Sequence, residues 1–98
     1  MINKSYSKNG KTCRVTFQVP AGSGAEEAHL CGNFTEWEKS CLPMKRRKDG
    51  SFSSSVTLET GQDFYFRYLL DGSRWVNDEA ADQYVPNPFG SDDCVVSV

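Results

Sequence analysis

Short stretches of alternating apolar and polar residues run through most of this chain, and they predict β-strands with one buried face. In residues 64–70 the buried face is apolar, while the other face carries Tyr65 and Arg67. Pro20 ends the first stretch, and an Ala-Gly-Ser-Gly loop follows it. Six segments are predicted as strands: residues 13–19, 28–31, 42–46, 52–58, 64–70 and 95–98.

Turn signals recur about every ten residues and favour an antiparallel arrangement. Asp49-Gly50 and Asp71-Gly72 are typical of hairpin turns. Helical periodicity is not sustained anywhere, although residues 79–83 could form one helical turn. The predicted fold is an all-β, immunoglobulin-like antiparallel β-sandwich of about seven strands. Its predicted core contains Val15, Phe17, Leu30, Phe52, Val56, Phe66, Tyr68 and Val95.

The length of 98 residues corresponds to one domain. We expect residues 12–98 to form it and residues 1–11 to be an N-terminal extension. The formal net charge of −2 argues against a nucleic-acid partner, which would need an excess of Lys and Arg. The basic run at residues 45–48 precedes a hairpin turn and is interpreted as a solvated surface. Because residues 1–10 contain no apolar run, we expect neither a signal peptide nor a membrane partner, and a cytoplasmic location.

The four cysteines are expected to be free thiols, since the cytoplasm keeps thiols reduced. They form no C-x-x-C pair, so no zinc site or other metal site is predicted. No cofactor-binding motif is present either, since glycine-rich nucleotide-binding loops are missing.

No catalytic residues are predicted, and the chain is interpreted as not being an enzyme. The single histidine, His29, lies in the middle of a strand, where a Ser-His-Asp triad is improbable. The 13 acidic residues fall mostly in loops, where they serve solubility and turns.

Two tryptophans depart from the alternating pattern. Trp37 and Trp75 lie in or beside loops, although tryptophan prefers to be largely buried. Sugar rings have apolar C–H faces that can stack on indole and hydroxyl edges that require polar partners. The residues alone leave two interpretations open, sugar binding and core packing.

Four segments, in order, resemble one known family. They read AHLCGNFTEW at residues 28–37, LPM followed by KDGSF at 42–52, FYFRYLLDGSRW at 64–75, and NPFGSDDCVV at 87–96. This set is similar to the carbohydrate-binding modules of family 48, the isoamylase early-set or glycogen-binding domains. These occur in glycogen branching enzymes and in the β subunit of AMP-activated protein kinase. The chain looks most like the small, free-standing bacterial members.

The resemblance implies non-catalytic binding of α-1,4-glucan, such as glycogen, starch or maltooligosaccharides. Trp37 and Trp75 match the tryptophans that stack on glucose rings. The other matched positions are Arg67, Phe89, Ser91 and Asp93. Asp93 stands where glycogen-binding members carry Asn, and an ionised Asp accepts hydrogen bonds but cannot donate them.

Two alternatives remain open. The first is a docking domain that has lost sugar affinity and positions a glucan-processing enzyme as its partner. The second is a minimal glycoside hydrolase, which would need two carboxylates across a cleft. Exposed tryptophans would favour sugar binding, and buried ones would favour docking.

Overall fold

The computed structural model describes residues 2–34, 41–87 and 90–98. This part of the chain contains ten β-strands and a single 3-10 turn at Ala21–Ser23, and it has no helix able to cross a bilayer. The strands are β1 (Ile2–Tyr6), β2 (Thr12–Val19), β3 (Ala28–Gly32), β4 (Leu42–Pro43), β5 (Lys45–Arg46), β6 (Phe52–Glu59), β7 (Asp63–Leu70), β8 (Arg74–Val76), β9 (Gln83–Pro86) and β10 (Asp92–Ser97).

The strands form two antiparallel sheets that face each other. The smaller sheet has the order β1-β2-β6-β5, and the larger has the order β4-β3-β7-β10-β9. β8 joins the larger sheet by pairing with β7. This architecture confirms the predicted immunoglobulin-like β-sandwich.

The core lies between the sheets and follows the predicted alternation. Phe17 of the smaller sheet packs against Phe66 of the larger, with ring centroids 4.8 Å apart. Every predicted core residue is buried except Val56, which is only partly buried. Val95 is buried, but it lies on the outer side of its sheet, because its neighbour Cys94 points into the core.

The segment predicted as a single strand at residues 42–46 is in fact two strands in different sheets. β4 pairs with β3, whereas β5 pairs with β6. Between them, Met44 is 8% exposed and donates its N–H to the carbonyl of Ala28 at 2.9 Å. The chain therefore crosses from one sheet to the other at Met44, which a local pattern could not reveal.

The region before residue 12 contains a strand that the pattern did not predict. β1 pairs with β2 along its whole length. Lys4 then reaches the larger sheet, where its ammonium donates to Asp82 Oδ2 at 2.7 Å and to the carbonyl of Ser97 at 2.8 Å. These bonds tie the two sheets together at one end of the sandwich.

The helical turn considered at residues 79–83 is absent. Glu79 and Ala80 form a simple turn, and β9 begins at Gln83. Asp78 organises this turn by accepting the N–H of Ala80 at 2.7 Å.

A disulfide corrects the expectation that all four cysteines are free. Cys31 and Cys41 are bonded, with their Cα atoms 4.6 Å apart. In the β3–β4 pair Leu30 lies opposite Leu42, so the same register continued by one residue sets Cys31 opposite Cys41. Cross-strand neighbours at this separation have side chains close enough to bridge.

The other two cysteines are free, as expected. Cys13 and Cys94 are both buried in the core, where a thiol acts as a small apolar side chain. Burial raises the pKa of Cys94 to about 11, so it remains a neutral thiol at neutral pH.

Candidate carbohydrate-binding site

The outer face of β7 is the centre of the site. Phe66 and Tyr68 point into the core, so Tyr65, Arg67 and Leu69 point outward. One edge of β7 pairs with β3. The other edge is shared, since β10 pairs with residues 63–66 and β8 pairs with residues 68–70. Arg67 therefore lies at the junction of β8 and β10, where side chains from both can reach it.

Trp75 and Arg67 form the first contact of the site. Trp75 belongs to β8, where it lies opposite Leu69 of β7 and is half-buried. The Cζ atom of Arg67 lies 5.7 Å from the centroid of the Trp75 ring, which is a cation–π distance. The indole thus has a fixed charged neighbour and a part that remains exposed.

Two hydrogen bonds hold the Arg67 side chain in place. Its Nε donates to Asn77 Oδ1 at 2.8 Å, and its Nη1 donates to Ser91 Oγ at 3.2 Å. A guanidinium carries five N–H donors, and these bonds use two of them. Arg67 is therefore oriented by its neighbours and keeps further donors for a ligand.

The loop before β10 is organised by Asn87. Its Nδ2 donates to Ser91 Oγ at 3.2 Å and to Asp93 Oδ1 at 3.1 Å, while its Oδ1 accepts the N–H of Ser91 at 3.2 Å. Gly90, with a φ of +83°, takes the left-handed conformation that this tight turn requires. Ser91 and Asp93 are thereby held near Arg67.

Four of the six residues predicted as sugar contacts are described, and all four belong to one connected group. Contacts run from Trp75 to Arg67 to Ser91, and then through Asn87 to Asp93. Trp37 and Phe89 lie outside the described residues.

Asn77 and Asn87 are members of this group that the sequence interpretation did not include. Asn87 is the first residue of the fourth matched segment, so the resemblance could have identified it. Asn77 follows Trp75 by two residues in a polar stretch, and nothing in that pattern distinguished it.

The arrangement suits a neutral, extended, hydroxyl-rich ligand. It offers an aromatic face beside fixed donors and acceptors on the open side of a sheet, and Arg67 and Asp93 carry opposite charges. In the described part of the chain, no cluster of three or more His, Cys, Asp or Glu side chains could hold a metal ion.

A separate cleft of about 460 Å³ lies between the end of β2 and the segment after β8. Two acidic residues that are neighbours in the chain, Asp78 and Glu79, line it. Asp78 is 4% exposed, and both of its carboxylate oxygens accept internal hydrogen bonds. One of these comes from the Tyr68 hydroxyl at 2.6 Å, and burial together with this carboxylate raises the pKa of Tyr68. Asp78 therefore stabilises the fold around this cleft.

Comparison with known proteins places these observations in a family. Residues 7–98 match the family model described as the glycogen recognition site of AMP-activated protein kinase. Over 75 residues the chain is 35% identical to the 1,4-alpha-glucan branching enzyme GlgB of Aquifex aeolicus (strain VF5), an alignment covering 74% of this chain and 11% of that enzyme.

Two solved structures share the fold. They are the pullulanase of Paenibacillus barengoltzii as a mutant complexed with maltotriose and as the apo enzyme, with TM-scores of 0.57 and 0.58 and 21% sequence identity. Each match covers 99% of this chain, but 15% and 14% of the two pullulanase chains respectively. The chain thus spans a small fraction of the enzymes that it resembles.

Proposed function

The chain belongs to the family of the glycogen recognition site of AMP-activated protein kinase, and we propose that it binds α-1,4-glucan by stacking glucose rings on tryptophan. It is a carbohydrate-binding module, and its ligand is an α-glucan polysaccharide such as glycogen or starch. In this proposal it acts as an accessory module of glucan metabolism and carries out no chemistry itself.

The observation that carries the proposal is the Arg67–Trp75 pair on the outer face of the larger sheet. An arginine held over an indole at 5.7 Å and bonded to Asn77 is preorganised before any ligand arrives. Preorganisation raises affinity because little side-chain entropy is lost on binding. Trp75 would stack on the apolar face of a glucose ring, and Arg67 would donate to its hydroxyls.

Ser91 and Asp93 would complete the polar edge of the site. Asp93 Oδ1 already accepts from Asn87, and as an ionised carboxylate it can accept from sugar hydroxyls but cannot donate to them. Asn87 and Asn77 would act as positioning residues, since they orient Ser91, Asp93 and Arg67.

Titration calorimetry with maltoheptaose and glycogen, with cellulose as the control polymer, tests this function. We expect binding to the α-glucans alone. Trp75→Ala and Trp37→Ala should each weaken binding by about 1–3 kcal/mol, by analogy with the stacking of nucleic-acid bases on aromatic side chains. Trp75→Phe, which keeps an aromatic face, should lose less.

The same variants separate binding from packing. If the tryptophans serve the ligand, their loss should lower the free energy of unfolding by much less than the roughly 3–5 kcal/mol of a core aromatic. Unfolding of both Ala variants, or glucan affinity that both retain, would contradict the proposal.

The absence of catalysis has its own test. Prolonged incubation with maltooligosaccharides should release no reducing ends above background. Turnover that survives repurification and disappears when one Asp or Glu is replaced would show a glycoside hydrolase instead.

A docking domain without sugar affinity is the second candidate, favoured by the lengths of the relatives. The region matched in the branching enzyme is 11% of that chain, so in that protein the domain accompanies a much larger remainder. Absence of glucan binding in the calorimetric titration, together with retention of a glucan-processing enzyme on the immobilised domain, would establish docking.

We propose a cytoplasmic location, and the Cys31–Cys41 disulfide makes that location testable. Reducing compartments keep most thiols unpaired, so the bond should be largely open there. Acid precipitation of cells, which stops thiol exchange, followed by alkylation of the denatured protein should label four cysteines if the location is cytoplasmic; denaturation is needed because Cys13 and Cys94 are buried in the fold. Labelling of only two would contradict a reducing location.

A further inference from the structure

Tyr65 is an exposed aromatic residue on the same face as the proposed site. Three large aromatic side chains of the described residues are exposed: Tyr6 (53%), Tyr65 (40%) and Tyr84 (44%). Tyr6 belongs to the smaller sheet, and Tyr84 lies opposite the inward-pointing Cys94. Of these three, Tyr65 alone shares the outer face of β7 with Arg67.

The position of Tyr65 continues the line formed by Trp75 and Arg67. Outward residues of a strand recur every second position, roughly 6.7 Å apart. Tyr65 is one such step from Arg67, and Leu69, the cross-strand partner of Trp75, is one step away on the other side. The distance along β7 from Leu69, which lies beside Trp75, to Tyr65 is thus about 13 Å, and this exceeds the size of a single glucose ring.

The backbone at Tyr65 is held on both edges. Asn33 donates its N–H to the carbonyl of Tyr65 at 3.0 Å and accepts the N–H of Tyr65 at its Oδ1 at 3.1 Å. Any side chain at Gly32 would collide with the same carbonyl, so glycine permits this close approach. On the other edge Tyr65 lies opposite Val95, which is 1% exposed. An anchored strand presents the phenol ring at a defined place.

A tyrosine in this position has the chemistry of a second sugar contact. Its ring offers an apolar face for stacking, and its hydroxyl can donate to or accept from a sugar hydroxyl. We propose that Tyr65 binds a glucose unit beyond the one at Trp75, so that the domain prefers glucans long enough to span Trp75, Arg67 and Tyr65. This inference rests on the proposed function.

Titration with maltotriose, maltopentaose and maltoheptaose tests the length preference. In the unaltered protein we expect affinity to rise with chain length. Tyr65→Thr, which keeps a residue favoured in strands but removes the ring, should lose about 5- to 150-fold in affinity for maltoheptaose. Its affinity for maltotriose should be unchanged, because a short chain is held at Trp75 and Arg67.

Two controls sharpen the test. Tyr65→Phe keeps the ring and should bind maltoheptaose nearly as well as the unaltered protein. Tyr6→Thr removes a tyrosine of the other sheet that is even more exposed than Tyr65 and should bind all three sugars normally. A Tyr65→Thr protein that binds every length normally, or weakens every length equally, would overturn this inference alone. No binding by the unaltered protein would overturn the proposed function as well.

Discussion

The two sheets share one core, yet their outer faces differ in chemistry. On the smaller sheet the outward residues of β2 and β6 are short or flexible polar side chains, and Thr16 Oγ1 lies 2.9 Å from Ser55 Oγ. On the larger sheet the outward residues include an indole, a phenol and an arginine held by partners at fixed distances. Both faces are compatible with the same fold.

The difference separates what folding requires from what binding requires. A solvated face needs only strand-forming polar residues, as on the smaller sheet. An outward phenol and a preorganised guanidinium beside an indole contribute little to folding, so their combination on one face supports the proposed ligand site. Substitutions on each side of the sandwich test this contrast between a solvated face and a proposed binding face.

The largest effect is expected at Phe66, which lies next to Arg67 in β7 but points into the core. Phe66 is 0% exposed and contacts Phe17 and Tyr68. Phe66→Ala should lower the free energy of unfolding by about 3–5 kcal/mol, as truncation of a buried aromatic does. Urea denaturation measures this loss. A loss below about 0.5 kcal/mol, the range typical of surface substitutions, would show that the inward residues of β7 are not core residues.

A smaller effect is expected from the disulfide, which lies beside the proposed binding face. The Cα partner of Arg67 on β3 is Cys31, and the bond joins residues ten positions apart. Reduction should lower the free energy of unfolding by about 2–4 kcal/mol, chiefly because the unfolded chain gains conformational entropy. Thermal melts with and without dithiothreitol measure it.

The double variant Cys31→Ala with Cys41→Ala is the matched control for the disulfide. Its melting temperature should not respond to dithiothreitol. Thiol counting on the denatured unaltered protein should find two thiols before reduction and four after, since Cys13 and Cys94 are free. Four thiols before reduction would show that the bond is absent.

Two outward arginines give a direct comparison of the faces. Arg67 is oriented toward Trp75, whereas Arg14 is an exposed outward residue of the smaller sheet. Arg67→Ala should weaken maltoheptaose binding by about 0.5–1.5 kcal/mol, less than loss of either tryptophan, because a surface hydrogen bond competes with water. Arg14→Ala should leave affinity unchanged. Equal losses in both variants would indicate a diffuse charge effect.

The smallest effect is a pH dependence at the hairpin that leads to Trp75. Asp71, at its tip, accepts the N–H groups of Glu26 and Glu27 at 2.9 and 3.0 Å. These bonds lower its pKa below the ordinary value of 3.8. The folded protein therefore holds this proton less tightly than the unfolded chain, which stabilises the fold above about pH 4 and is lost as pH falls through the lowered pKa.

Asp71→Asn tests the origin of that dependence. Asparagine accepts hydrogen bonds and tolerates the positive φ of 53° found here, but it does not titrate. Urea midpoints between pH 2 and 7 should therefore fall less steeply in acid for this variant than for the unaltered protein. Identical slopes would assign the acid sensitivity to other carboxylates.

Much of the fold was predictable because strand alternation is local. The burial of Phe17, Phe52 and Phe66 follows from a period of two residues within single segments. The passage of the chain between sheets at Met44 and the pairing of β1 were not predictable in this way. Both depend on which distant segment lies alongside, and residues 42–46 read as one short strand whichever sheet they join.

The candidate site was predictable only through resemblance. Composition and spacing left Trp75 undecided between packing and binding, and the ordered family motifs selected the group that includes Arg67, Ser91 and Asp93. The structure adds Asn77 and Asn87, whose importance lies in the atoms they orient. Amide side chains in polar loops are common, so no pattern distinguishes the few that hold a site together.

The sequence by itself determined which side chains of β2, β6 and β7 face inward, because that choice needs only the alternation of the strand itself. Tertiary structure alone decided that Cys31 meets Cys41, since their contact depends on the register between β3 and β4. It also decided that Arg67 reaches both Trp75 and Ser91, because β8 and β10 share one edge of β7 on either side of it. Register and strand order are set by the packing of the whole sandwich, so residues far apart in the chain become neighbours only once both sheets are assembled.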